Sequence, residues 1–306
     1  MYFPYLRGRQ FELIALREFA QENYGSEQKV IPIIEPVKLS VNSLKIAIGK
    51  FKKFDFSFSL VLNPKVGELE GRQDVYDLLK EDLIGSKWHP AFIVTPSNSL
   101  SIKSYIEEAD LKNIILILGD SVDLGSQEAI SLIKAPSIEA IVSQQQRIKR
   151  KIRGIDKKII RLNDCFHKQN RNADYKELGP ELFTEEHLFF DTEGFNGFSD
   201  YTVVSSEFTE GGTSPYAVVI HLTYQNEEDE IWIRHFTSES NEGQENVQGK
   251  FAEAVRKAVL FLNDNEIHTL ASDELRKYFS EEKYPGLGMV KKISIKNHLE
   301  LIQSIT

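Results

Sequence analysis

Cysteine is all but missing from this chain: Cys165 stands alone among 306 residues, so no intrachain disulfide can form. That excludes a disulfide-stapled secreted domain and sets the expectation of an intracellular, cytoplasmic protein. Long apolar runs are missing as well. No stretch reaches the roughly 18 apolar residues that a membrane-spanning helix needs, so no transmembrane segment is expected. The opening MYFPYLRGRQFELIALREFA carries arginines and a glutamate where a signal peptide keeps an unbroken apolar core. Positive charge is in deficit: 37 Lys and Arg against 46 Asp and Glu leave a net charge of -9. No aromatic residues are interleaved among the basic ones, so no dedicated nucleic-acid-binding motif is present. The chemical motifs are absent too. There is no GxxxxGK[ST] phosphate loop, no GxGxxG after a strand, no HExxH and no GxSxG. No cofactor is named by the sequence.

What is present is a repeating unit. Short apolar runs end in a turn residue and are followed by an amphipathic segment. The candidate strands are 2–5, 30–34, 56–62, 91–94, 114–118, 140–142, 158–162 and 187–190, with ends roughly 20 to 32 residues apart, the size of one βα unit. IPII, FSLVL, AFIV and IILIL are continuous rather than alternating, as in strands buried on both faces of a parallel sheet. FELIALREFAQ, VYDLLKEDLI and SIKSYIEEADL have helical period. Pro36, Pro64, Pro96 and Gly119 punctuate strand ends.

Eight such units without a strong linker predict a (β/α)8 TIM-like barrel over residues 1–265. Residues 195–237 break the pattern. Their alternation, a Gly211–Gly212 turn and the acidic QNEEDE turn predict an antiparallel β-hairpin insertion after the eighth strand. A helix over roughly 247–262 would serve as the eighth barrel helix, and 266–306 would form a short helical tail.

Barrel active sites lie at the C-terminal ends of the strands. That geometry singles out Arg7, Arg9, Gln10 and Glu12 after the first strand, Glu35 and Lys38 after the second, and Asn63 and Lys65 after the third. Thr95, Asp120 and Ser143 follow, then Arg161, Asn163 and Asp164, then Asp191 and Glu193. Glu35 and Asp191 form the leading acid–base pair, with Arg7, Asn63 and Arg161 completing a candidate pocket. Converging carboxylates also suit a divalent cation. A salt-bridged rim would give the same sequence pattern. Cys165 beside His167 reads as a weak thiol–base pair. His221 and His235 fall in neighbouring hairpin strands, where they face each other as a structural or a metal-binding pair. The block QQQRIKRKIRGIDKK at 144–158, with Lys149, Arg150 and Lys151, is either a solvated helix face or a contact for an anionic ligand.

The stretch YFPYLRGRQFELIALREF, followed by IPIIEPVK, LVLNP, IVTP and GFSDYTVVSSEF, resembles an uncharacterised "beta family protein" group of phage and bacteria over about residues 1–240. The matching positions here are Arg7, Gly8, Gln10, Glu12, Glu35, Asn63, Thr95, Asp200 and His221. The resemblance implies a TIM-like barrel. It also implies kinship with two-gene anti-phage defence units, and so a second protein of the same operon and a phage component as partners.

Two functional readings follow. One is a recognition or sensor protein whose hairpin region binds a partner through Tyr201, Tyr216, Tyr224 and Trp232, with His221 beside them. The other is a carboxylate- or metal-dependent hydrolase of a phosphodiester or a glycoside.

Overall fold

The computed structural model describes residues 1–145, 147–211 and 215–306. Seven strands come first: β1 (Tyr5–Leu6), β2 (Ile33–Ile34), β3 (Phe58–Val61), β4 (Trp88–Val94), β5 (Ile114–Leu118), β6 (Ile138–Ser143) and β7 (Lys158–Leu162). Helices alternate with them: α1 (Gln10–Glu22), α2 (Asn42–Lys53), α3 (Val75–Leu83), α4 (Ser99–Glu108), α5 (Gln127–Lys134) and the short α6 (Ile148–Lys151). Then come β8 (Glu181–Thr184), α7 (Glu186–Phe189), β9 (Gly197–Ser199), β10 (Val219–Gln225) and β11 (Ile231–Thr237). The last helices are α8 (Val247–Asp264), α9 (Leu270–Ser280) and α10 (Leu287–Ile305).

Seven strands and β9 form one parallel sheet in the order β1-β2-β3-β4-β5-β6-β7-β9. Its two ends meet. Tyr2 bridges both Val30 and Phe198, the Phe3 amide donates to the Phe198 carbonyl at 2.9 Å, and the Tyr5 amide donates to the Asp200 carbonyl at 2.8 Å. The result is an all but closed (β/α)8 barrel. The continuous apolar runs have the expected cause: all five residues of β5 and all four of β3 are buried.

The eighth strand is not where the sequence predicts it. HLFF at 187–190 lies largely in α7, and the strand that closes the barrel is Gly197–Ser199, inside the stretch expected to be an insertion. A short apolar run does not separate strand from helix by periodicity. Here the Thr184 hydroxyl accepts the Glu186 amide at 3.2 Å and starts a helical turn, in which Phe189 stays 46% exposed. Phe198 does the closing instead: it is buried against the Tyr2 ring at 5.0 Å.

The chain divides into two compact units. The first holds Met1–Arg9, Ala20–Asn163 and Phe189–Asp200, and with them the barrel strands. The second holds Gln10–Phe19, Asp164–Leu188 and Tyr201–Thr306.

In the second unit β10 and β11 pair as an antiparallel hairpin, and β8 joins as a third strand in the order β10-β11-β8. Gly212 of the expected Gly-Gly turn lies outside the described residues. The helix expected as the barrel's eighth, α8, packs in this unit against β10 and β11. Its Phe251, Val255, Ala258 and Leu262 share a core with Ile220, Leu222 and Phe236. The helical tail expected over 266–306 comprises α9 and α10, and α10 is 19 residues long and buried on most of its circumference. It carries Lys292 and Lys296 into the interior, where Lys292 meets Glu18 at 2.9 Å and Glu274 at 2.5 Å, and Lys296 meets Glu18 at 3.3 Å. Buried charge of this kind persists only when it is paired.

Candidate functional site

The turn after β1 and the end of β2 build the rim cluster. Gly8 takes a φ of +60°, where a Cβ would sit 3.1 Å from the Glu35 carbonyl oxygen, so glycine lets the turn lie directly on β2's end. Arg7 is thereby brought to Glu35. The Glu35 side chain is fully buried and accepts three bonds: from the Tyr5 hydroxyl at 2.8 Å, from the Arg7 guanidinium, and from the Lys65 amide at 2.7 Å. The Arg7 guanidinium also lies 4.9 Å from the Tyr5 ring centroid. One place along the rim, the Tyr2 hydroxyl donates to buried Asp200 at 2.5 Å.

Asn63 has a backbone task. Its amide donates to the Ile93 carbonyl at 2.8 Å and its carbonyl accepts the Ile93 amide at 2.8 Å, prolonging the β3–β4 ladder past the end of β3. Asn98 fixes the next turn, accepting from the Thr95 amide at 2.7 Å and donating to Ile93 at 3.0 Å.

Arg7, Glu35 and Asn63 therefore share the C-terminal rim, and Asp191 and Arg161 do not join them. Asp191 precedes β9, so it sits at the opposite end of the barrel, where its charge reaches the Met1 ammonium. Its exposed carboxylate accepts the Thr192 amide at 2.6 Å. Arg161 pairs with Glu193 and lies 4.2 Å from the centroid of the Phe195 ring. The expected Glu35–Asp191 pairing rested on the misplaced eighth strand.

The basic block divides in use. Lys149 donates to the Glu193 carbonyl beside the Phe195 ring, Lys151 reaches Gln145 at 3.4 Å, and Arg150 is exposed on α6. Lys157 is tied to the Ala135 carbonyl at 3.0 Å.

In the second unit His221 and His235 stand directly opposite in the hairpin, their Nδ1 atoms 2.8 Å apart. His235 Nε2 lies 3.1 Å from Glu181, and Phe166 and Tyr175 enclose both rings. Burial, then the neighbouring His235, pushes the His221 pKa down to about 3. His235 is lowered too, chiefly by burial, against the opposing pull of Glu181. Both are neutral at pH 7, as a shared Nδ1–H···Nδ1 bond requires. The aromatic anchors are unequally exposed. Tyr224 packs on Phe261, Trp232 lies opposite Tyr224 and donates to Glu230 at 2.8 Å, Tyr201 is half-buried, and Tyr216 is 56% exposed. Among the described residues no group of three or more His, Cys, Asp or Glu is arranged to hold a metal ion.

The first unit also contains a cleft that no single motif announces. It encloses about 520 Å³, its open mouth included, and is lined by Asn63, Lys65, Arg72, Phe92, Ile102 and Tyr105 among others. Asn63 and Lys65 are legible as strand-end residues. Arg72 and Tyr105 are not, because the loop before α3 and a half-buried position on α4 bring them there.

This chain matches no protein-family model, no curated protein and no solved structure. Its class is set by its own architecture: an α/β protein with a (β/α)8 barrel, a separate three-stranded antiparallel sheet and a long C-terminal helix. No helix among the described residues is long and apolar enough to cross a membrane.

Proposed function

We propose that this chain is a recognition protein on a barrel scaffold. It works in the cytoplasm with a second protein encoded beside it, in the anti-phage setting that the family resemblance implies. The state of the rim carries this reading. A general acid or base must come within about 2.6–3.2 Å of a substrate proton. Glu35 is shut away from solvent with three donors already on it. Asp191, its expected partner, belongs to the other end of the barrel. These carboxylates suit the neutralisation of Arg7 and the anchoring of loops better than acid–base chemistry.

Recognition needs exposed anchors, and Tyr216 supplies one. The test is affinity capture from cells that carry the chain and its neighbouring gene, together with phage challenge. Tyr216→Ala should weaken capture and protection while leaving the melting temperature in place, and Tyr201→Ala should weaken both. Protection that survives both substitutions would sink the reading. The hydrolase reading would gain if Asp191→Asn abolished protection without disturbing the fold.

A further inference from the structure

We infer that the cleft beside β3 and β4 binds a small ring-bearing oxyanion, a phosphate or a carboxylate carried on a flat organic body. The inference goes beyond the recognition reading and does not depend on it. Position comes first: Asn63 and Lys65 follow β3 and Asn98 precedes α4, so the cleft opens on the barrel face where ligands bind in this fold.

Charge comes second. The protein carries a net charge of -9, yet among the described residues no carboxylate lines this cleft and two cations do. The Lys65 ammonium forms no ion pair among the described residues. Arg72 turns Nε and one terminal nitrogen to Asp74, and its other terminal nitrogen makes no hydrogen bond among the described residues. That pair is exposed, and exposed pairs hold their partners weakly. Burial, then Asp77, raises the Tyr105 pKa, so the hydroxyl stays protonated and remains a donor. The amides of Asn63 and Asn98 are already committed to the backbone around β4. Lys65 and Arg72 offer donors only, and the Tyr105 hydroxyl and the Gln73 amide can donate beside them, a set that suits an acceptor-rich anion. Leu62, Phe92, Ile102 and the Tyr105 ring supply apolar walls, with the Phe92 and Tyr105 rings 5.9 Å apart.

Rigidity comes third. The Lys65 amide is fixed on Glu35 at 2.7 Å, the Gly71 amide closes the loop onto the Pro64 carbonyl at 3.2 Å, and Leu69 is fully buried. Gly67 adopts a φ of +80°, and a Cβ there would come within 2.5 Å of the Val37 carbonyl oxygen, so the loop lies against the chain after β2. The cleft is formed before a ligand arrives, which lowers the ordering cost of binding.

Calorimetric titration of the whole chain tests this with four probes: adenosine monophosphate, benzoate, inorganic phosphate and adenosine. Binding of adenosine monophosphate marks a phosphate ligand and binding of benzoate a carboxylate ligand, and either supports the inference. Inorganic phosphate should bind more weakly than whichever ring-bearing anion binds. Lys65→Met should weaken that binding by at least about tenfold, the worth of one charge-assisted hydrogen bond, while Lys65→Arg keeps it. Tyr105→Phe, which removes a donor and keeps the ring, should also weaken it, and serves if Lys65→Met does not fold. The inference is overturned if neither ring-bearing anion binds at millimolar concentration, if adenosine binds as tightly as its monophosphate, or if both substitutions leave affinity unchanged.

Discussion

Glu35→Gln separates a structural carboxylate from a catalytic one by the sign of its effect on stability. The substitution removes the charge that neutralises Arg7 and turns one carboxylate oxygen into an NH2 donor. Three donors converge on Glu35: the Tyr5 hydroxyl, the Arg7 guanidinium and the Lys65 amide. Breaking a buried ion pair by removing one partner costs about 3–5 kcal/mol. Glu35 is fully buried and the Arg7 side chain is 15% exposed, so some water reaches the orphaned cation and the low end applies, about 3 kcal/mol. With a urea slope of about 2 kcal/mol per molar, the denaturation midpoint should fall by roughly 1.5 M. The double variant Arg7→Met with Glu35→Gln repairs the site. The carbonyl oxygen of the introduced glutamine accepts the Lys65 amide, its NH2 donates to the Tyr5 hydroxyl, and no buried cation remains. It should recover to within about 1 kcal/mol of the wild type. A catalytic carboxylate behaves otherwise, because sites tuned for activity are held at a cost in stability, and neutralising them often stabilises the fold. A Glu35→Gln protein with an unchanged or raised midpoint would refute the structural assignment.

The remaining predictions concern closure, the ladder extension and the histidine pair. Phe198→Ala removes the buried ring that packs on Tyr2 and should cost about 3–5 kcal/mol in urea unfolding; a loss under about 1 kcal/mol would mean that β9 does not close the barrel. Asn63→Ala deletes both bonds to Ile93 and should cost about 1–3 kcal/mol, with faster amide exchange at Ile93 as the local readout. The pH dependence follows from the direction of the histidine shift. The folded-state pKa of His221, about 3, lies below its ordinary 6.5, so the unfolded chain takes up the proton first as pH falls. The pair's contribution is complete above about pH 6.5 and is lost as pH falls towards 3, which amounts to about 2 kcal/mol between pH 7.5 and 5 for one proton. Urea midpoints at those two pH values measure it, and a His221→Gln/His235→Gln double variant should flatten the profile.

Most of the barrel is legible in the sequence because strands covered on both faces must be apolar throughout. IILIL and FSLV are strands on that ground, and the spacing between such runs gives the βα unit. The closing strand is not legible, for the opposite reason. Gly197–Ser199 is three residues long with one large side chain, while HLFF nearby has more apolar character and only a helical turn to show for it. ELFT at 181–184 is equally unannounced, since β8 becomes a strand only by pairing with β11. Lys292 and Lys296 read as surface residues, and their burial depends on Glu18 and Glu274 brought from distant parts of the chain. The same limit governs the sites. Arg7 and Glu35 meet because each follows a neighbouring strand. The cleft also needs Tyr105 and Arg72, whose approach depends on how α4 and the loop before α3 pack. The facing of His221 and His235 follows from hairpin register and is legible once the two strands are recognised.

The central proposal is that the buried Glu35 on the barrel rim serves structure, through Arg7, Tyr5 and the Lys65 amide. Plaque counts on cells that carry the proposed partner gene and the Arg7→Met, Glu35→Gln double variant test it most directly, because that variant removes the Arg7 and Glu35 charges while keeping the bonds to the Lys65 amide and the Tyr5 hydroxyl. Protection equal to the wild type at matched protein level is the predicted result. Protection lost at an unchanged urea midpoint would contradict it, and would return Glu35 to a catalytic role.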